Sequence, residues 1–254
     1  MKNRAVIFTL VLGMALLTAL SVLPAFALPT RAQLVAALKT AVAEENGGFG
    51  FNVWATMVDK DGVVRQVAFT GTTRNDQWLA GRVESAQKAN TANAFSLASM
   101  ALSTANLYSP SQPGGSFFGL QFSNPVDPAV AYAGNSGAFG KSGSPGDPLV
   151  GRKIGGVSAV GGGLALYDQR GNLVGGLGVS GDSSCADHNI VWKVRHILEL
   201  DYVPAGVSPT QDDNIIYDIV NGASPSGWGH PECSPEATLI GRDLPTTNPI
   251  RIKP

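Results

Sequence analysis

Charge is scarce in this sequence. Asp, Glu, Lys and Arg make up 15% of its 254 residues, and they balance to a net charge of −1 at pH 7. No block of basic residues occurs, which argues against nucleic acid as a partner. No internal repeat is present, which removes solenoids and propellers. Catalytic signatures are missing too: there is no G-x-S-x-G elbow, no H-E-x-x-H, no phosphate loop and no C-x-x-C-H haem attachment. Histidine is limited to three residues and cysteine to two. Glycine, by contrast, is abundant at 31 residues, as suits a glycine-punctuated globular protein containing both helices and strands.

The one long apolar run lies at the N-terminus. Lys2 and Arg4 precede Ala5 to Leu23, and Ala25-Phe26-Ala27 forms an A-x-A site. This pattern predicts a signal peptide over residues 1–27 and a periplasmic or secreted chain, with no stable membrane span after cleavage. An uncleaved anchor is the alternative. Cys185 and Cys233 are an even count in an oxidising compartment and predict one disulfide; two free buried thiols are the alternative.

Gly161 to Arg195 organises the rest. Leu164 to Asp168 reads as a strand, Gln169 to Asn172 as a turn, and Leu173 to Ser180 as a second strand. Asp182 or Ser183 can cap a helix whose stripe is Ile190, Val191, Val194, Ile197 and Leu198. Upstream, Thr30 caps a helix running to about Glu45. Phe51 to Val58 and Val63 to Phe69 form a hairpin across Asp59-Lys60-Asp61-Gly62. A second helix is predicted from Asp76 to about Leu102.

Residues 109–150 read as a long loop with a short strand at Phe117 to Phe122. Its aromatics, Phe117, Phe118, Phe122, Tyr132 and Phe139, are expected to dock on the core, a partner subunit or a flat ligand. After Asp201 the chain is proline-rich, with little capacity for regular structure beyond Asn221. The fold class is therefore α+β, an antiparallel sheet of two hairpins flanked by helices. One domain spans residues 28–204, and a tail, residues 205–254, is stapled to it through the cysteines.

On the last predicted helix, Cys185, His188, Trp192 and His196 fall opposite the apolar stripe. Something must cover that second face: the tail with His230, a neighbouring subunit or a cofactor. His188, His196 and His230 are the candidate ligands should an iron be held here, since neutral imidazole binds haem iron well; packed, hydrogen-bonded histidines are the alternative. Lys88 reads as a solvated helix lysine.

At this point the chain resembles a known family. Val174 to Gly181, followed by Asp182 and Cys185-Ala186, is similar to the "GAIGVSG…CA" signature of the GlcG/HbpS-like haem-binding proteins. Lys88 to Phe95 resembles that family's "KA-x-TA-x-x-F" helix, and Gly161-Gly162-Gly163 its "GG-x-P…DG" approach. The likeness covers about Leu34 to Leu200. It implies haem as cofactor, homo-oligomers, and in some members haem breakdown or redox sensing. Carried onto this sequence, it points to Lys88, Thr91 and Phe95 on the helix and to Gly178, Val179, Ser180 and Gly181 at the strand end. His188 joins them as a candidate near the iron. The chain departs from the family in lacking an E-x-x-E motif, in its longer loop and in its cysteine-bearing tail. Two rivals stand beside haem binding. One is an enzyme acting on a small organic molecule, with Lys88 and His188 as polar groups. The other is a non-catalytic oligomeric module.

Overall fold

The structure, a computed structural model, describes residues 27–134 and 140–252; the leader through Phe26 and the loop residue Phe139 lie outside the described residues. Helix α1, Arg31–Val42, starts as expected at Thr30, where Thr30 and Gln33 form a reciprocal capping box. Strands β1, Trp54–Asp59, and β2, Val64–Phe69, follow as an antiparallel hairpin. Its turn is held by Asp59, whose carboxylate accepts from the N–H groups of Asp61 and Val63, with Gly62 at φ 76°. The second hairpin, β3, Gly163–Tyr167, and β4, Leu173–Ser180, uses the same device. Asp168 accepts there from the N–H groups of Arg170 and Asn172.

The two hairpins join through β1 and β4 into one four-stranded antiparallel sheet of order β2-β1-β4-β3. Alternation along β1 splits the core. Ala55 and Met57, with Val53 just before the strand, face α1 and helix α3, Ser184–Ile197, whereas Trp54 and Val58 face helix α2, Ala80–Phe95. The layers are thus α2, the sheet, and α1 beside α3. A fourth helix, α4, Pro235–Thr247, packs on α3 from outside.

Three expectations need correction. The second helix runs over Ala80–Phe95, not from Asp76 to Leu102. Asp76 instead closes a 3-10 turn, accepting from the N–H groups of Thr72 and Thr73. At the other end Ser96 leaves the helix and bonds back to Leu102. Phe117 to Phe122 is no strand; Leu120–Ser123 is a helical turn. The tail does hold regular structure beyond Asn221, because Ser234 caps α4 and Pro235 occupies its first turn, where the missing N–H costs nothing.

Glycine sets the spacing between sheet and helix. A Cβ on Gly176 would fall within 3.0 Å of Ala89 O, and one on Gly178 within 3.0 Å of Ser85 O and Ala89 N. Helix α2 therefore lies directly on the strand backbone, and its Ala and Ser residues permit the approach. Thr56 on β1 and Ser85 on α2 satisfy one another's hydroxyls at 2.8 Å inside this contact.

Candidate functional site

The N-terminal half of α2, the end of β4 and the start of α3 converge on a cleft of about 720 Å³. That lies inside the range of about 300–1,000 Å³ usual for small-molecule and cofactor sites. Trp78, Leu79, Val83, Val126, Val160 and Tyr132 supply apolar lining. Trp78, Leu79 and Tyr132 are more than half exposed and form its rim. Trp78 also meets Phe51 edge-on at 5.3 Å, and Phe51 stacks on Phe49 at 5.4 Å, extending the aromatic rim outward.

The long loop makes the opposite wall. Its anchor is Asp147, which pairs with buried Arg82 of α2 (Nε to Oδ2 2.9 Å, with a second, shorter contact from Nη2) and accepts from the N–H groups of Gly143 and Leu149. Val130, Ala131 and Leu149 bury against α2 beside it. Of the loop aromatics, Phe117 docks against Phe95 and Trp228, Tyr132 lines the cleft, and Phe118 and Phe122 are exposed.

The floor is polar. Lys88 is 2% exposed, not solvated, and donates to Asp187 Oδ2 at 2.8 Å and to Val179 O at 3.1 Å. Asp187 also accepts from the N–H of Asp182 at 3.0 Å. Burial pushes the Asp187 carboxyl up to about 6, against the pull of Lys88 in the other direction. Asp182 in turn accepts from the N–H groups of Phe49 and Phe51, tying the aromatic rim to the floor.

The expected site residues do not all gather here. Lys88, Ser180 and Gly181 line the cleft. Gly178 does not, because α2 occupies the space in which a ligand was expected. Thr91 is buried; its hydroxyl donates to Gln87 O at 2.8 Å and accepts from Ser158 N at 3.0 Å. Phe95 lies at the far end of α2 among Met100, Phe117 and Trp228.

None of the three histidines lines the cleft. His188 is fully buried under the tail, with Nε2 3.2 Å from Asn214 Oδ1 and 3.1 Å from Ile215 N. Its Nδ1 is buried without a partner. Burial, and then the charge of His230, lower its pKa to about 3. His196, in the last turn of α3, pairs with Asp201 at 2.8 Å. His230 donates from Nδ1 to Pro231 O at 2.7 Å and accepts at Nε2 from Gly161 N at 3.3 Å; burial lowers its pKa to about 4.

The covered second face of α3 is therefore the tail's work. The disulfide between Cys185 and Cys233 is present and pins the tail to the first turn of α3. Sequence reasoning missed Trp78 and Leu79 as rim residues and Asp187 as the partner of Lys88. Trp78 and Leu79 show the same apolar signal as core residues, and Lys88 and Asp187 are 99 positions apart.

Residues 27–195 match the family model described as "Haem degrading protein HbpS-like". No curated protein matches the chain. Among solved structures, the crystal structure of a PduOC:haem complex shares 24% identity over 65% of this chain and 89% of that one, with a TM-score of 0.44. The Klebsiella pneumoniae protein ORFY shares 20% identity over 67% of this chain and 90% of its own, also with a TM-score of 0.44.

Proposed function

The chain belongs to the family of HbpS-like haem degrading proteins, and on that premise we propose that it is an exported haem-binding protein whose ligand occupies the cleft between α2, the long loop and the start of α3. The observation that carries this reading is the cleft's two-sided chemistry. A flat macrocycle needs apolar walls, and Trp78, Leu79, Val83 and Val126 offer them. Haem iron is held in proteins by His, Cys, Met or Tyr, and among the described lining residues Tyr132 is the one of those types. The donor set therefore fits haem through a phenol, with the three histidines set aside.

Bound haem would bring redox-active iron to the cleft. The chain's own residues do the remaining work. Trp78 and Leu79 shield the mouth from water. Lys88 neutralises charge at the floor without moving, since its ammonium is fixed by Asp187 and Val179. Asp187, raised to about 6, can hold a proton at Oδ1 or Oδ2 near the lower end of the physiological range. Export is supported by the N-terminal leader pattern and the disulfide.

Haemin titration followed by the Soret band tests the reading. A saturable band is expected, shifted by Tyr132→Phe and weakened about tenfold or more by Trp78→Ala, while His188→Ala leaves its position unchanged. Absence of any band, or a band indifferent to Tyr132 and Trp78 but altered by His188, overturns this placement.

A further inference from the structure

Outside the cleft, among the described residues, one cluster of ligating side chains takes no part in the proposed haem site. Cys185, His230 and Cys233 bring two sulfurs and an imidazole nitrogen within 4.8 Å of one another. The disulfide occupies both sulfurs. We propose that the reduced protein uses these three residues as a binding site for a zinc-class divalent cation, so that a bond and a metal alternate at one place.

The surroundings favour the thiolate form. Cys185 sits in the first turn of α3, whose free N–H groups and positive dipole end favour an anion. The Cys185 N–H already donates to Cys233 Sγ at 3.2 Å, and Ser184 Oγ lies 3.5 Å from the same sulfur. His230 Nδ1 is 4.0 Å from Cys185 Sγ. The neutral imidazole is the form that binds a metal. Its present bond from Nδ1 to Pro231 O would be given up. The proton moves to Nε2, which gives up the bond it accepts from Gly161 N and turns instead to Ser184 Oγ at 3.3 Å, which can accept it.

Cys185 and His230 are buried and Cys233 is exposed. Reduction therefore begins at Cys233. A thiolate of a dithiol reductant attacks Cys233 Sγ, the Cys185–Cys233 bond breaks, and Cys185 leaves as a thiolate at the helix start. The reductant's second thiol closes its own disulfide and releases Cys233 as a thiolate. Two electrons pass to the protein, and the reductant's two protons go to solvent. The cation then takes two thiolates and one imidazole, leaving a fourth position open toward solvent beside Cys233. Two sulfurs and one nitrogen suit zinc better than calcium or magnesium, which take oxygen ligands.

The test is zinc binding by the purified protein, oxidised and reduced, measured by native mass spectrometry with near-ultraviolet circular dichroism alongside. One zinc ion per reduced chain is expected and none per oxidised chain, with zinc slowing alkylation of both cysteines. His230→Asn should weaken binding by about tenfold or more, and His230→Cys should restore it. The proposal fails if the reduced chain takes no zinc, or if His230→Asn binds as tightly as the parent. It fails equally if reduction abolishes the dichroism and zinc does not restore it.

Discussion

Acid should unfold this protein through its buried histidines, with Asp187 resisting. His188 and His230 fall from an ordinary 6.5 to about 3 and about 4 in the fold, chiefly through burial. The folded state keeps them neutral, so the stability they contribute is complete above pH 6.5 and is lost as pH falls toward 3–4. Asp187 has the opposite sign. Its carboxyl rises from 3.8 to about 6, so it favours the folded state below 3.8, an advantage lost as pH climbs through 6. The lowered carboxyls of Asp59, Asp76 and Asp218 titrate below this window.

At pH 5 the unfolded chain binds about two more protons at the histidines, and the folded chain about one more at Asp187. The net difference of about one proton makes stability fall by about 1 kcal/mol per pH unit. By pH 4 the net loss from neutrality is about 4 kcal/mol, a large share of the 5–15 kcal/mol typical of a domain. Urea denaturation between pH 7 and 4 measures this slope. His188→Gln should flatten it almost to zero. Asp187→Asn should roughly double it, whatever that variant costs at neutral pH. A parent slope near zero, or an Asp187→Asn slope no steeper than the parent's, would refute the reasoning.

Further outcomes follow from packing and from buried charge. Gly178→Ala should destabilise by about 3 kcal/mol or more, because its methyl group meets the α2 backbone, which cannot turn aside. Gly146→Ala, whose Cβ would meet only flexible side chains beyond 3.2 Å, should change the melting temperature little. Arg195 of α3 is fully buried, bonded to Asp213 through both terminal nitrogens at 2.7 Å and stacked 4.9 Å over Trp192. Asp213→Ala should cost about 3–5 kcal/mol by stranding that charge. Changing both partners to apolar residues should recover part of the loss, as thermal denaturation would show.

The elements set by local chemistry were legible in the sequence. The Thr30 cap, both hairpin turns, β4 over Leu173–Ser180 and a helix cap at Asp182 or Ser183 are set by a few adjacent residues, and the structure has them, with Ser183 as the cap. The cysteine pairing was expected from the even count and the leader-like N-terminus, and the structure has the bond. Helix α4 is the informative miss. Ser234-Pro235-Glu236 is a cap, a first-turn proline and a first-turn acid in order, yet Pro245 and the proline-rich approach hide the helical pattern. The site was less legible because its decisive facts are tertiary. Lys88 is solvated or buried depending on whether Asp187 lies opposite, and Trp78 is core or rim depending on where the long loop folds. His188 stands where sequence spacing puts it, but the tail, not a ligand, covers it.

The glycine contact between β4 and α2 also has a bearing on motion. Where side chains separate two layers, they can rotate and let the layers slide. Here main chain meets main chain, and no rotamer exists to change. The amides of β4 and the central turns of α2 should accordingly exchange with solvent only on global unfolding, while those of the Phe49–Phe51 segment exchange through local opening. The α2 side of the cleft is then immovable, and any adjustment to the size of what enters must be made by the walls and rim that face it.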